Sequence, residues 1–178
     1  HMVRDESRDA VLERMERAMR RTLDTLWDGR EFGLALKSPE QALILASIVE
    51  RETALPAERP RVAAVFLNRL ARGMRLQSDP TVIYGLSDRL GVLERALTRD
   101  DLAANHPWNT YVIDGLPATP IANPGRASLE AVLHPARTDD LYFVADGSGG
   151  HALARTLDEH NANVARWRQI ERERAAVR

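Results

Sequence analysis

Cysteine is absent from the 178 residues, which excludes disulfides, thiolate metal sites and a cysteine nucleophile. Lysine is almost absent, Lys37 being the only one, so the basic charge is carried by arginine. These arginines alternate with acids, and the net charge is -1. A one-signed patch of the kind that binds nucleic acid is therefore not expected. Long apolar runs are missing too. The longest, Ala42 to Val49 with Ser47 inside it, is far short of the roughly 20 residues that span a bilayer. The histidines at 1, 106, 134, 151 and 160 include no pair at helical four-residue spacing, so no zinc site is expected. Ser47 lacks a Gly-x-Ser-x-Gly elbow and no phosphate-binding glycine loop precedes a lysine, which leaves serine-hydrolase and nucleotide chemistry without support.

What remains is an ordinary globular composition, 44% hydrophobic and 29% charged, in a chain long enough to bury about two thirds of its unfolded surface. Val11, Leu12, Met15, Ala18, Met19, Leu23, Leu26 and Trp27 recur at three- and four-residue spacing, which predicts an amphipathic helix ending near Gly29. Ser38-Pro39-Glu40-Gln41 reads as a helix start, and the apolar residues after it predict a buried helix over about 38–54. A third helix is predicted over 61–72, with Val62, Ala63, Phe66, Leu67 and Leu70 inward and Gly73 past its end. Between residues 74 and 124 proline and glycine dipeptides break the pattern into turns and short elements, and such a long irregular region in a compact domain is often functional. A helix over 126–134, strands at 141–145 and 151–154 around a glycine loop, and a final helix capped by Thr156 and Glu159 complete the reading. The expected fold is α+β: a helix-rich single domain with the buried helix at its centre and the hairpin packed beside it.

Glu50 closes the apolar run. A carboxyl in that position is expected to be partly desolvated, which raises its pKa and suits it to donate protons near neutral pH. Ala46, Ser47, Thr53 and Ala54 lie three or four positions away and would flank it with small groups and two hydroxyls. On pattern alone a second reading stands beside this one: Glu50 begins the solvated end of an ordinary helix, where Arg51 and Glu52 raise the polarity. Glu52, two residues on, points in a different direction, so the paired carboxylates of most glycosidases are not visible. Asp79, Asp114 and Asp146 stay open as partners, each also suited to a turn or cap.

The stretch Leu45-Ala-Ser-Ile-Val-Glu-Arg-Glu-Thr53 resembles the catalytic helix of the YceG-like (MltG) endolytic murein transglycosylases. The motifs Val65-Phe-Leu-Asn-Arg-Leu70, Met74-Arg-Leu-Gln-Ser-Asp-Pro-Thr-Val-Ile-Tyr-Gly85, Asn109-Thr-Tyr111, Gly115-Leu-Pro117 and Pro120-Ile-Ala-Asn-Pro-Gly125 follow in the family's order. His134-Pro-Ala136, Leu141-Tyr-Phe-Val-Ala-Asp-Gly147, Gly150-His151 and Glu159-His-Asn161 complete the series. Ser78 stands where threonine is usual, Trp108 where a tyrosine-type aromatic is usual, and Leu153 where phenylalanine is common.

The resemblance implies a lytic transglycosylase that cuts the MurNAc-GlcNAc β-1,4 bond inside peptidoglycan strands and leaves 1,6-anhydro ends, with Glu50 as acid/base. It places Gln77, Ser78, Asp79, Asn109, Thr110 and Tyr111 at the substrate, beside the Ser47 and Thr53 that helical spacing sets next to Glu50, and requires neither metal nor cofactor. It also implies work at the extracytoplasmic face of the bacterial inner membrane, on glycan strands and beside peptidoglycan synthases, in terminating strand growth. Membrane attachment would come through an N-terminal anchor outside this sequence, as would a LysM-like subdomain. Residues 1–2 read as a cloning scar and 3–178 as the catalytic domain. A hydrolytic muramidase using the same glutamate, a non-catalytic peptidoglycan-binding module and a helical partner-binding protein are the alternatives.

Overall fold

Ser38 starts the central helix as its composition dictates. Its extended backbone and side chain cap the amide of Gln41, Pro39 takes the first turn, and Gln41 reaches back to the Lys37 amide. A computed structural model describes residues 7–176, so the expectation for residues 1–2 lies outside the described residues. Its helices are α1 (Arg8–Asp28), α2 (Pro39–Glu52), α3 (Arg59–Ala71), α4 (Asp79–Leu86), α5 (Arg99–Ala103), α6 (Arg126–Leu133) and α7 (Leu157–Ala176). Strands β1 (Tyr142–Ala145) and β2 (His151–Ala154) precede α7. Helices thus dominate, with one two-stranded antiparallel sheet among the described residues, as expected for an α+β fold.

Helix α2 packs on α1, α3, α4 and α6 at once. Ala42, Leu45, Ala46, Ile48 and Val49 are completely buried, together with Val62, Ala63 and Phe66 of α3 and Leu129, Val132 and Leu133 of α6. The apolar stripe of α1 is only half used. Leu23 and Leu26 reach the core, whereas Leu12 and Met15 are about half exposed, at 49% and 55%, and line an open groove that α1 shares with Pro39, Glu40 and Leu43 of α2. None of the described helices is long and apolar enough to cross a membrane.

Helix α3 begins two residues before the predicted position, since Pro60 fits a first helical turn. The hairpin pairs Tyr142 with Ala154 and Ala145 with His151. It packs on α7 and α3, not beside α2 as expected, because α6 and α3 already cover that helix. Phe143 meets Phe66 edge-on at 5.7 Å. The capping box of α7 forms as predicted: Thr156 accepts from the Glu159 amide, and Glu159 accepts from the amides of Arg155 and Thr156. Within the irregular region α4 and α5 add two short helices, the second held by a Thr98–Asp101 capping box.

Ser47 shows how the central helix secures the irregular region. It is wholly buried; its hydroxyl donates to the Ile44 carbonyl at 2.7 Å and accepts from the Ile121 amide at 2.9 Å. Ser47→Ala would leave that buried amide without an acceptor and should lower the unfolding free energy by about 1–3 kcal/mol. Urea denaturation measures this, and an unchanged midpoint would exclude the anchoring role.

Candidate functional site

Two carboxylates leave α2 two positions apart, Glu50 and Glu52, in opposite surroundings. Glu50 turns toward the start of α6, where its Oε2 accepts from the Gly125 amide at 3.0 Å and from the Ser128 hydroxyl at 2.7 Å. Arg59 stands 4.0 Å from its other oxygen. Gly125 is the N-cap of α6, so Glu50 satisfies orphan donors at a positive helix end. Burial works to raise its pKa, yet the bonds from Ser128 and Gly125 and the Arg59 charge together win, and the pKa is lowered. The expectation of a raised pKa at Glu50 is thus overturned: with about 30% of the side chain exposed and donors facing it, the charged form is favoured.

Glu52 is the opposite case. It faces a cleft of about 420 Å³ shared with Arg69, Leu76, Gln77, Asp79, Tyr111, Phe143, Val144 and His160. Its Oε1 accepts a 2.5 Å bond from the Ser78 hydroxyl. Desolvation dominates here and the negative charge of Asp79 adds to it; the Ser78 bond and His151 oppose them without success, and the pKa is pushed up to about 7. Of the two carboxyls on this helix end, Glu52 has the raised pKa and Glu50 the lowered one.

The remaining predicted residues divide between the cleft and its frame. Gln77, Asp79 and Tyr111 line the cleft, and Tyr111 donates to Asp79 at 2.6 Å. Burial, then that bond and the Asp79 charge, hold the phenol well above its usual pKa. Ser78 touches the acid itself. Asn109 and Thr110 are fully buried and offer a glycan no surface, contrary to expectation. Asn109 instead donates to the carbonyls of Leu102 and Ala104, at 3.1 and 2.7 Å, and accepts from the Tyr111 amide. Thr110 accepts from the Ser78 amide at 2.9 Å and shares a hydrogen bond with Thr81. Their positions nevertheless fix the neighbours that do reach the cleft. Ser47 is committed to Ile44 and Ile121, and Thr53 to Glu58 and the Leu55 amide; neither hydroxyl bonds Glu50. Asp114 pairs with Arg75, and Asp146 caps its own loop through Ser148; neither lines the cleft.

Arg69 gives no signal in the sequence, because it sits among the apolar positions of α3. It is 7% exposed and has no carboxylate partner among the described residues. Its Nε donates to the Leu141 carbonyl at 2.6 Å, and its Nη1 to the carbonyls of Arg75 and Leu76 and to Gln77 Oε1, at 3.0, 3.0 and 3.1 Å. One guanidinium thereby joins α3, the hairpin and the loop carrying Gln77. That loop is strained: Gln77 has φ +54°, a region costly for a side chain with a Cβ. A larger groove along α1 and Leu43, about 630 Å³, is mostly apolar.

The two glutamates make opposite predictions for stability against pH. Folded protein keeps the Glu52 proton up to about pH 7, while an unfolded chain releases it near 4.5. The native state therefore loses stability as pH rises through that window. Glu52→Gln should be neutral below pH 4.5 and stabilising by on the order of 2–3 kcal/mol above pH 7. Glu50, whose pKa is lowered, contributes stability above the ordinary carboxylate range that disappears in acid. Glu50→Gln should destabilise at neutral pH, with the difference vanishing as pH falls. Unfolding curves from pH 3 to 9 test both; parallel profiles for the two variants would contradict the assignment.

Residues 1–166 match the YceG-like family. The endolytic murein transglycosylase of Bacillus subtilis (strain 168) is 44% identical over 124 residues, which are 70% of this chain and 33% of that protein. Its counterpart in Streptococcus pneumoniae serotype 2 (strain D39) is 34% identical over 129 residues, 70% of this chain and 23% of that protein. This chain thus spans no more than about a third of the length of these relatives. A solved yceG-like protein from Listeria monocytogenes superposes with a TM-score of 0.64 at 44% identity, over 70% of this chain and 40% of that one. With motif order, fold and sequence in agreement, the chain belongs to the YceG-like family.

Proposed function

We propose that this chain is a catalytic part of a peptidoglycan lytic transglycosylase that cuts within glycan strands, and that Glu52, in place of Glu50, is its acid/base. The single observation that carries the reading is a carboxyl with a pKa near 7 facing an open, polar-lined cleft. Such a group is both a competent acid and a competent base at neutral pH. The names of the relatives from Bacillus and Streptococcus supply the substrate class.

In this mechanism the strand lies across the cleft with a MurNAc-GlcNAc β-1,4 bond at Glu52. The protonated carboxyl gives its proton to the bridging oxygen as the C1–O bond breaks. The carboxylate then takes the proton of the muramyl C6 hydroxyl, whose oxygen closes on C1, so a 1,6-anhydro end forms and no water is consumed. Because the nucleophile is intramolecular, its effective concentration is very high and a second protein carboxylate is not required. Ser78 holds the acid in place. Burial, and after it the Asp79 charge, keeps its proton affinity high, while Tyr111 keeps Asp79 oriented. Gln77 has its oxygen taken by Arg69, which leaves its amide hydrogens for acceptors on the sugar. Placement at the outer face of the cytoplasmic membrane, cooperation with a synthase and termination of strand growth fit this activity and are part of the same proposal.

A hydrolytic reading also has an observation in its favour: Asp79 shares the cleft and could orient a water. Mass spectrometry of purified murein after incubation separates the two, since the transglycosylase product is lighter than the hydrolytic one by a water. Anhydro ends are expected. Glu52→Gln should reduce their formation by at least about 10²-fold, whereas Glu50→Gln should retain most activity at a temperature where it stays folded. Wild-type kcat/KM should fall as pH rises above about 7, where Glu52 loses its proton. Wild-type rates in Glu52→Gln, or reducing ends in place of anhydro ends, would overturn the mechanism.

A further inference from the structure

Among the polar residues lining the cleft, His160 takes no part in the proton transfer. It is carried on α7, across the cleft from the α2 end, and lines the same cavity as Glu52, Gln77, Asp79 and Tyr111. Its ring lies against Tyr142, with centroids 5.2 Å apart and planes 24° from parallel, and Tyr142 in turn carries the Arg69 guanidinium at 5.0 Å. The ring plane is therefore fixed. Its nitrogens are not used for that purpose: Nδ1 is enclosed and has no hydrogen-bond partner, and among the described residues Nε2 has none either. A buried acceptor without a partner is tolerated better than a buried donor, so the imidazole proton belongs on Nε2. Glu52, Asp79 and Gln77 each have a side-chain partner within the protein, Ser78, Tyr111 and Arg69 respectively, whereas the His160 nitrogens have none among the described residues.

We propose that His160 is a substrate-contacting residue, its Nε2–H donating to an uncharged oxygen of an N-acetyl sugar in the bound strand. The inference rests on the cleft being the glycan site. Burial and the Arg69 charge push the imidazole pKa below its ordinary value, so at neutral pH the ring is uncharged. It therefore suits the neutral hydroxyls and acetamido carbonyls of the glycan, not the carboxylates of the stem peptides.

The test uses a peptide-free probe, the β-1,4-linked N-acetylglucosamine tetramer, titrated into the Glu52→Gln protein by calorimetry and by ¹⁵N NMR of the imidazoles. His160→Phe, added to that background, keeps the ring stack on Tyr142 and removes both nitrogens. Affinity should fall roughly three- to tenfold, the effect of one neutral hydrogen bond, with the thermal midpoint held. His160→Asn, which can still donate, should recover part of the loss. The imidazole signal that disappears in His160→Phe should be one that the tetramer shifts. Equal affinities with and without His160→Phe, an unshifted His160 signal, or a loss confined to peptide-bearing fragments would each overturn the proposal. Gln77→Ala and Asp79→Asn separate the two levels. If they weaken binding and His160→Phe does not, only the role of His160 fails. If none of the three does, or the tetramer does not bind, the glycan reading of the cleft fails with it.

Discussion

A helix packed against several neighbours at once must find a partner for every polar group it carries, and α2 meets this constraint residue by residue. Water cannot reach most of its surface, so an unpaired group there would cost about 1–3 kcal/mol or more. Ser47 answers the buried amide of Ile121, Glu50 answers the start of α6, and Thr53 meets Glu58 at the turn into α3. Glu58 in turn takes the backbone and ring of His151 at 2.8 and 2.9 Å, so the chain of partners runs from α2 through the N-cap of α3 to the hairpin. Within this set Glu52 is the group that faces a cavity and receives only one hydroxyl. The rest of α2 is stabilised by satisfied polar contacts, and this one carboxyl remains proton-bearing.

Which glutamate that would be could not be read from the sequence, and the reason is geometric. Residues two apart on a helix are separated by about 200°, so Glu50 and Glu52 must face opposite ways, as the pattern requires. On a helix with one apolar face, periodicity would tell which way is inward. Here both faces are covered, and the apolar run before Glu50 distinguishes nothing. What settles the matter lies 75 and 26 positions further along, in Gly125 and Ser78. The motif that holds both acids was legible, as were the helix starts at Ser38 and Thr156 and the hairpin. Their local signals, caps and turn residues, do not need the tertiary structure.

The same distinction explains the frame and the wall of the cleft. Asn109, Thr110 and Tyr111 are consecutive, yet only Tyr111 lines the cavity, while its neighbours anchor α5 and the Gln77–Ser78 backbone. A motif marks a place where several residues are constrained, and buried framing amides are constrained as tightly as groups that meet a ligand. Arg69 is the converse: hidden in an apolar helix, it works through backbone carbonyls that carry no sequence signature.

Local costs gather where the chemistry is assigned. A desolvated carboxyl, a left-handed glutamine, a buried guanidinium that has no carboxylate partner among the described residues and an imidazole with an unpartnered nitrogen all border one cavity. Each alone has a structural explanation, and unpartnered nitrogens also occur at Arg59 and His106. Their coincidence in the cleft is harder to explain by packing, because a chain free to optimise stability alone would pair or replace them. Arg69 couples them mechanically: its bonds hold Gln77 in the strained conformation, its cation lies over Tyr142, and its charge disfavours protonation of His160. Removing the strain at Gln77 would therefore also free an Arg69 donor and loosen the loop that brings Ser78 to Glu52. The bonds that shape the cleft wall thus also hold in place the hydroxyl that meets Glu52, whose proton affinity is raised chiefly by its burial there.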